Sequence, residues 1–245
     1  MTDKLRIIVN GAHGRMGQET IRALNETDDL IVIGKTGRED DLSEAIDHLQ
    51  PHIVVDFTTP GTVFKHTKII LEKGVHPVIG TTGLTKPDYL CLQDIAKMRG
   101  IGGIIAPNFS IAAILMMRCA ATVATYLSDV EIIEMHHDKK RDAPSGTALK
   151  TADLMAKNRP EKTPSLSPAT SLLSRGEQRS GVPIHAIRLP GLLAHQQVIF
   201  GSEGETLTIK HDAIHRGCYM PGVLLACRRV VHLTELIEGI DALLD

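Results

Sequence analysis

The sequence predicts an α/β protein in two parts: a half with a parallel sheet wound between helices, then an α+β half on an open mixed or antiparallel sheet. Three observations carry this. Short β-branched runs alternate with helically spaced apolar residues up to about residue 126, a glycine-rich turn joins the first run to the first helical pattern, and from residue 130 the pattern becomes strand-rich.

In the first half, strands are expected at 5–9, 30–33, 52–57, 77–79 and 101–105, with helices at 16–24 and 63–73. Strands alternating with helices imply parallel pairing through right-handed crossovers. Helix 111–126 follows, and Ser110 suits its N-cap because a hydroxyl there can accept from a first-turn amide. In the second half the strands are 130–135, 184–189, 197–200 and 206–210, with helix 148–157 between them and a last amphipathic helix at 220–236. Residues 158–182 are rich in Ser, Pro, Thr, Gly and charge without periodicity, which predicts a long loop: a lid, a disordered segment or simply a solvated surface loop.

The 245 residues are 42% hydrophobic and 23% charged, enough apolar material for one sizeable core or two smaller ones. A formal net charge of -2 and an aromatic fraction of 3% give neither the basic field nor the stacking platform that nucleic acid or an anionic membrane requires. The apolar run 111–117 stops at Arg118, far short of a bilayer span. Cysteines 91, 119, 218 and 227 form no C-x-x-C pair and follow no secretory signal, so a reducing, cytoplasmic setting is expected, without disulfides or structural zinc.

The turn Gly11-Ala12-His13-Gly14-Arg15-Met16-Gly17 lies between the first strand and the first helix. Glycines there let the backbone approach a pyrophosphate closely, and free N–H groups at the helix start meet its charge. Arg15 can add a direct phosphate contact. The spacing is G-x-x-G-x-x-G, with Val9 where the usual dinucleotide fingerprint has its first glycine, so the turn also fits tight strand–helix packing alone. Three further strand ends, Asp56-Phe57-Thr58, Gly80-Thr81-Thr82-Gly83 and Ala106-Pro107-Asn108-Phe109, fall where open α/β sheets bind ligands.

Reactive side chains are densest from Glu134-Met135-His136-His137-Asp138-Lys139-Lys140 through Asp142-Ala143-Pro144-Ser145-Gly146-Thr147, between a strand and a helix. On an extended strand His136 and His137 point to opposite sides, so one can face a cofactor while the other serves elsewhere. Ser145, Gly146 and Thr147 precede Ala148, so their N–H groups and hydroxyls gather at a helix N-terminus that stabilises a carboxylate, or simply cap the helix. Lys140 nearby makes the same place a charge-assisted carboxylate site. Zinc is not expected, because the adjacent side chains of His136, His137 and Asp138 cannot readily converge on one ion.

Together these segments, in order from about residue 5 to 222, resemble the 4-hydroxy-tetrahydrodipicolinate reductase (dihydrodipicolinate reductase) family. The resemblance implies a Rossmann-type dinucleotide-binding domain at 1–108, completed by a C-terminal helix at 218–245. It also implies a substrate-binding and oligomerisation domain at 109–217, whose open sheet builds a homotetramer. The implied reaction is NAD(P)H-dependent reduction of a small dicarboxylate, 4-hydroxy-tetrahydrodipicolinate, in diaminopimelate and lysine biosynthesis. By position, His136 matches the family's proton donor/acceptor and Lys140 its second proton donor, while His137, Gly146 and Thr147 match substrate contacts. Gly11, Ala12, His13, Gly14, Arg15 and Met16, with Gly80, Thr81, Thr82, Ala106, Pro107, Asn108 and Phe109, match cofactor contacts. The residue reading adds Ser145 to the substrate set.

Two departures stand out. Where the family commonly has Arg-x-Gly-Gly and then Gly-Glu-His, this chain reads Arg188-Leu189-Pro190-Gly191-Leu192-Leu193-Ala194-His195-Gln196, and no site role is carried onto that loop. The acidic residue expected about 20 residues past the glycine turn is also missing. Gly34-Lys35-Thr36-Gly37-Arg38 stands there instead, so NADPH preference or dual use is expected, with Lys35 or Arg38 meeting the 2′-phosphate. The rivals are a reductase of another small dicarboxylic or amino acid and a non-catalytic dinucleotide sensor.

Overall fold

The computed structural model describes residues 4–160 and 173–244. They fall into two units, one formed by Met1–Ser110 with Arg216–Asp245, the other by Ile111–His215.

In the first unit, β1 (Leu5–Asn10), β2 (Leu30–Thr36), β3 (Ile53–Asp56), β4 (His76–Ile79), β5 (Gly103–Ile105) and β11 (Leu236–Glu238) form a parallel sheet in the order β11-β5-β4-β3-β1-β2. Ile7, Ile8, Val9 and Ile53, Val54, Val55 are wholly buried, as central parallel strands must be when helices cover both faces. Helix α1 (Arg15–Asn25) packs with α7 (Met220–Val230), and α2 (Leu42–Leu49) with α3 (Val63–Glu72), which in turn meets α4 (Lys86–Arg99). Local chemistry fixes the helix starts. The Asp41 carboxylate accepts from the amides of Ser43 and Glu44 before α2, and Thr85 with Asp88 forms a capping box before α4.

The last helix is shorter than its apolar spacing predicts. Rather than running over 220–236, or filling 218–245, it ends at Val230; Leu236–Glu238 then pairs in parallel with Gly103–Ile105 as the sheet's edge. A short buried strand and a helix segment carry the same apolar signal.

The second unit begins with α5 (Ile111–Val123), β6 (Asp129–His136) and α6 (Gly146–Asn158). After a 3-10 turn at Leu173–Arg175 come β7 (Glu177–Arg179), β8 (Val182–Arg188), β9 (Ala194–Ser202) and β10 (Glu205–Ala213). The sheet order is β10-β9-β6-β8-β7; β6 and β8 are parallel and the other neighbours antiparallel, so the sheet is mixed. Burial alternates along β6 and β9: Val130, Ile132, Glu134, Gln196, Val198 and Phe200 are buried on the face that α5 and α6 cover. Part of the expected loop 158–182, namely 161–172, lies outside the described residues. The rest is not all loop, since Glu177–Arg179 pairs with β8 and Arg179 grips Asp153 on α6 through two hydrogen bonds of 2.8 and 2.6 Å. Among the described residues no helix is long and apolar enough to cross a membrane.

Candidate active site

The sheet order puts β1 between β2 and β3, so the chain leaves β1 in one direction and resumes on its other side. A crevice opens beyond the strand ends at such a switch point, and the glycine turn occupies it. Gly11 has φ +80°, and a Cβ there would lie 2.4 Å from the carbonyl oxygen of Phe57; one on Gly17 would lie 2.2 Å from that of Gly11. Neither position admits a side chain without moving backbone. Gly14 is the N-cap of α1 and offers no side-chain cap, so the first-turn amides of Arg15, Met16 and Gly17 remain available to an anion. His13, Gly14 and Arg15 are exposed, while Ala12 is buried. A recess of about 480 Å³ continues along α1, lined by Ala12, His13, Gln18, Ile21, Arg22, Asn25 and the exposed Lys35. This donor set fits a dinucleotide pyrophosphate.

A buried polar network backs the neighbouring strand ends. Asp56 is fully buried and accepts from Asn10 Nδ2 (2.8 Å), Thr81 Oγ1 (2.6 Å), Thr58 Oγ1 (2.7 Å) and the Thr58 amide (3.0 Å), with His66 Nδ1 at 3.1 Å. Burial alone would push its carboxyl up, but the hydrogen bonds from His66, Thr81 and Thr58 outweigh it and hold the group below its ordinary value. Thr36 donates to Asn10 Oδ1 at 2.9 Å, which draws the end of β2 into the same network. Thr82 is exposed and Gly80 partly so; Pro107 is exposed, whereas Ala106 and Phe109 are buried, the Phe109 ring lying edge-on to Phe57 with centroids 5.9 Å apart.

In the second unit the reactive cluster sits where β6 runs out and α6 begins. Glu134 and His136, two apart on a strand, share a face, and His136 Nδ1 lies 2.6 Å from Glu134 Oε2. Glu134 is wholly buried and also accepts from Arg188 Nη1 (2.8 Å), Arg188 Nη2 (2.7 Å) and the Ser145 amide (3.0 Å). Burial pushes its carboxyl up, yet the His136 and Arg188 hydrogen bonds and charges hold it below the ordinary value. Ser145 is buried, and its hydroxyl accepts from the Ala148 amide at 3.3 Å as the N-cap of α6. Gly146 is exposed and Thr147 partly so. Lys140 Nζ is paired with both oxygens of Asp142, at 2.8 and 2.7 Å.

His136, Ser145, Gly146 and Thr147 thus gather at one strand end and helix start, and the six turn residues stand together between β1 and α1, Ala12 and His13 of them lining the recess. Lys140 stands on the intervening loop in its own ion pair. The roles of Glu134 and Arg188, and the Asn10–Asp56–His66 network, did not emerge from the sequence. The i, i+2 spacing of Glu134 and His136 was a usable signal; the parallel register that sets Arg188 opposite His136 was not.

Comparison with known proteins shows the family. Residues 5–109 match the family model described as dihydrodipicolinate reductase, N-terminus, and residues 112–244 the one described as its C-terminus. A 4-hydroxy-tetrahydrodipicolinate reductase from Coxiella burnetii is 48% identical over 240 residues, covering 98% of this chain and 99% of the relative. One from Legionella pneumophila is 47% identical over 243 residues, covering 98% and 100%. The solved structure of a dipicolinate-bound dihydrodipicolinate reductase from Paenisporosarcina sp. TG-14 superposes with a TM-score of 0.83 at 38% identity, covering 98% of this chain and 99% of that one. A probable dehydrogenase from Thermotoga maritima, with TM-score 0.62 at 12% identity, shares the fold alone. With both halves matched and near-identical length, this chain belongs to the dihydrodipicolinate reductase family of oxidoreductases.

Proposed function

We propose that this chain reduces 4-hydroxy-tetrahydrodipicolinate to tetrahydrodipicolinate, with the first unit holding the dinucleotide and the second the dicarboxylate. The observation that carries it is the convergence of His136, Ser145, Gly146 and Thr147 at one strand end and helix start, with His136 anchored through Nδ1. Loss of the hydroxyl with a proton from the neighbouring ring carbon releases water and leaves a double bond, and the reduced nicotinamide, when bound, would supply a hydride to the carbon that carried the hydroxyl.

The chain's own residues do the rest. The Gly11–Met16 turn and the amides opening α1 meet the pyrophosphate, and the Gly80–Thr82 and Ala106–Phe109 strand ends bound the rest of the dinucleotide. Gly146 and Thr147 offer first-turn amides and a hydroxyl to a substrate carboxylate, favoured there by the α6 dipole; His137 and Lys140 complete the grip. Ser145 contributes by holding that helix start in shape rather than by a free hydroxyl. His136 Nε2 gives the proton to the carbon beside the one reduced. Lys140 serves carboxylate binding and acts as the second donor once it exchanges Asp142 for the substrate.

The preferred cofactor is NADPH, or both forms: Lys35 and Arg38 are exposed at and beyond the end of β2, and the nearby Asp40 carboxylate already accepts from the Gly37 amide at 2.8 Å. The open face of the second sheet, carrying Ile133, Met135, Ile187 and Ile199, serves assembly as a homotetramer. Four free cysteines suit a reducing cytoplasm.

Steady-state kinetics of two variants test the site. His136→Gln is expected to lower kcat by roughly two to four orders of magnitude with little change in KM, and Lys140→Ala to harm both. A near-normal kcat in the first, or an unchanged KM at full rate in the second, removes that residue from its role.

A further inference from the structure

His136 is the end of a chain of buried contacts, and that chain points to how its proton is placed. Glu134 has four close donors and no solvent exposure: Arg188 Nη2 (2.7 Å) and the Ser145 amide (3.0 Å) on Oε1, Arg188 Nη1 (2.8 Å) and His136 Nδ1 (2.6 Å) on Oε2. Arg188 pairs in register with His136 across β8 and β6, and its Nη2 also donates 2.6 Å to the carbonyl of Asp142 in the loop that leads to Ser145. The guanidinium therefore clamps the carboxylate, the loop and, through Glu134, the start of α6 at once. A buried ion pair of this kind contributes little net stability over an apolar replacement, so stability alone does not account for it.

We propose that Glu134 and Arg188 are positioning residues for proton transfer, Arg188 fixing the Glu134 carboxylate and Glu134 fixing the His136 imidazole with Nδ1–H inward and Nε2 outward. This rests on the reading of His136 as proton donor. An ionised carboxylate only accepts, so Nδ1 keeps its proton in both charge states of the ring, and Nε2 is the one atom that gains or loses one. The ring cannot flip without putting Cδ2–H where Nδ1 stands, which leaves the buried anion one donor short.

The geometry makes Glu134→Gln diagnostic. Two fixed donors face the Oε1 position, whereas one of the two groups at Oε2 is the imidazole, which can donate or accept; the amide oxygen therefore belongs at Oε1 and the NH2 at Oε2, against His136 Nδ1 and with loss of the Arg188 Nη1 hydrogen bond. An NH2 in that place turns Nδ1 into an acceptor, moves the neutral ring's proton to Nε2, and disfavours the imidazolium that must donate.

The test uses the full-length enzyme with its cofactor. Nitrogen-15 NMR of labelled histidine, with the His136 signals assigned by their loss in His136→Gln, is expected to show the neutral ring protonated at Nδ1 in the parent and at Nε2 in Glu134→Gln. The same variant is expected to lower kcat by at least about tenfold while substrate KM stays within about threefold. That loss should vanish when Glu134→Gln is made in a His136→Gln background, because the two act as one unit. Arg188→Lys, which cannot hold both carboxylate oxygens in a fork, is expected to fall between the parent and Glu134→Gln. A parent His136 with bare Nδ1 overturns the proposal even if a variant fails to fold, and so does a Glu134→Gln loss that persists undiminished without His136. If His136→Gln itself turns over normally, the proton-donor reading fails first and takes this one with it.

Discussion

Lys35 stands exposed next to the last residue of β2 and lines the recess beside Ala12 and His13, while the Asp40 carboxylate is engaged by the Gly37 amide. An exposed cation beside the adenosine end of a dinucleotide favours a 2′-phosphate, whereas an acid there repels it. Lys35→Glu is therefore expected to shift the ratio of kcat/KM values toward NADH, read for both cofactors at one ionic strength; strong NADH preference in the parent would show that Lys35 does not meet the 2′ position. At this scale the sequence was legible where one residue type is nearly obligatory. Gly11 and Gly17 could be read because a Cβ at either collides with backbone. Glu134 and Arg188 could not be assigned, because their meaning lies in which strands become neighbours. A parallel β6–β8 pairing separated by more than forty residues leaves no local trace.

The start of α6 separates two roles that the sequence left open. Ser145 caps the helix, its hydroxyl on the Ala148 amide, while Thr147 is one residue into the first turn and partly exposed. Ser145→Ala is accordingly expected to cost about 1 kcal/mol of stability. Thr147→Val should raise substrate KM while stability stays within about 1 kcal/mol of the parent. Melting curves beside steady-state kinetics check both, and early melting with normal KM in Thr147→Val would make that residue part of the cap instead. Among the elements, the central strands were readable because both their faces are buried and their middles, Ile7–Val9 and Ile53–Val55, are continuous apolar runs. Helix α4 was passed over because its apolar residues do not form one stripe: Leu92 and Ile95 are buried while Leu90 and Met98 are exposed. Its capping box and Pro87 were the better signal. Strand β11 was hidden inside the apolar spacing that follows α7, and only its pairing with β5 distinguishes it.

For the whole molecule, folding sets carboxylates in places that favour their charged form. Asp56 and Glu134 are held below ordinary values of 3.8 and 4.5, and Asp153, clasped by Arg179 and Ser180, is lowered to about 2. A carboxyl with a depressed folded value contributes stability above its unfolded value, and that contribution is lost as pH falls through the folded one. Urea unfolding is thus expected to show near-constant stability from about pH 6 to 5 and a steady fall below about pH 4.5; stability that rises on acidification would contradict these environments. The division into two units, each with its own sheet, could be anticipated from the change of pattern near residue 130, whereas the return of 216–245 to the first unit depends on long-range packing of α7 against α1. The central claim is that this chain catalyses dinucleotide-dependent reduction of 4-hydroxy-tetrahydrodipicolinate. Its most direct test is NADPH and NADH oxidation by the purified protein supplied with enzymatically generated 4-hydroxy-tetrahydrodipicolinate. Saturable turnover that requires the substrate is the expected result; well-folded protein that binds the dinucleotide but oxidises none of it in the presence of that substrate would contradict the account.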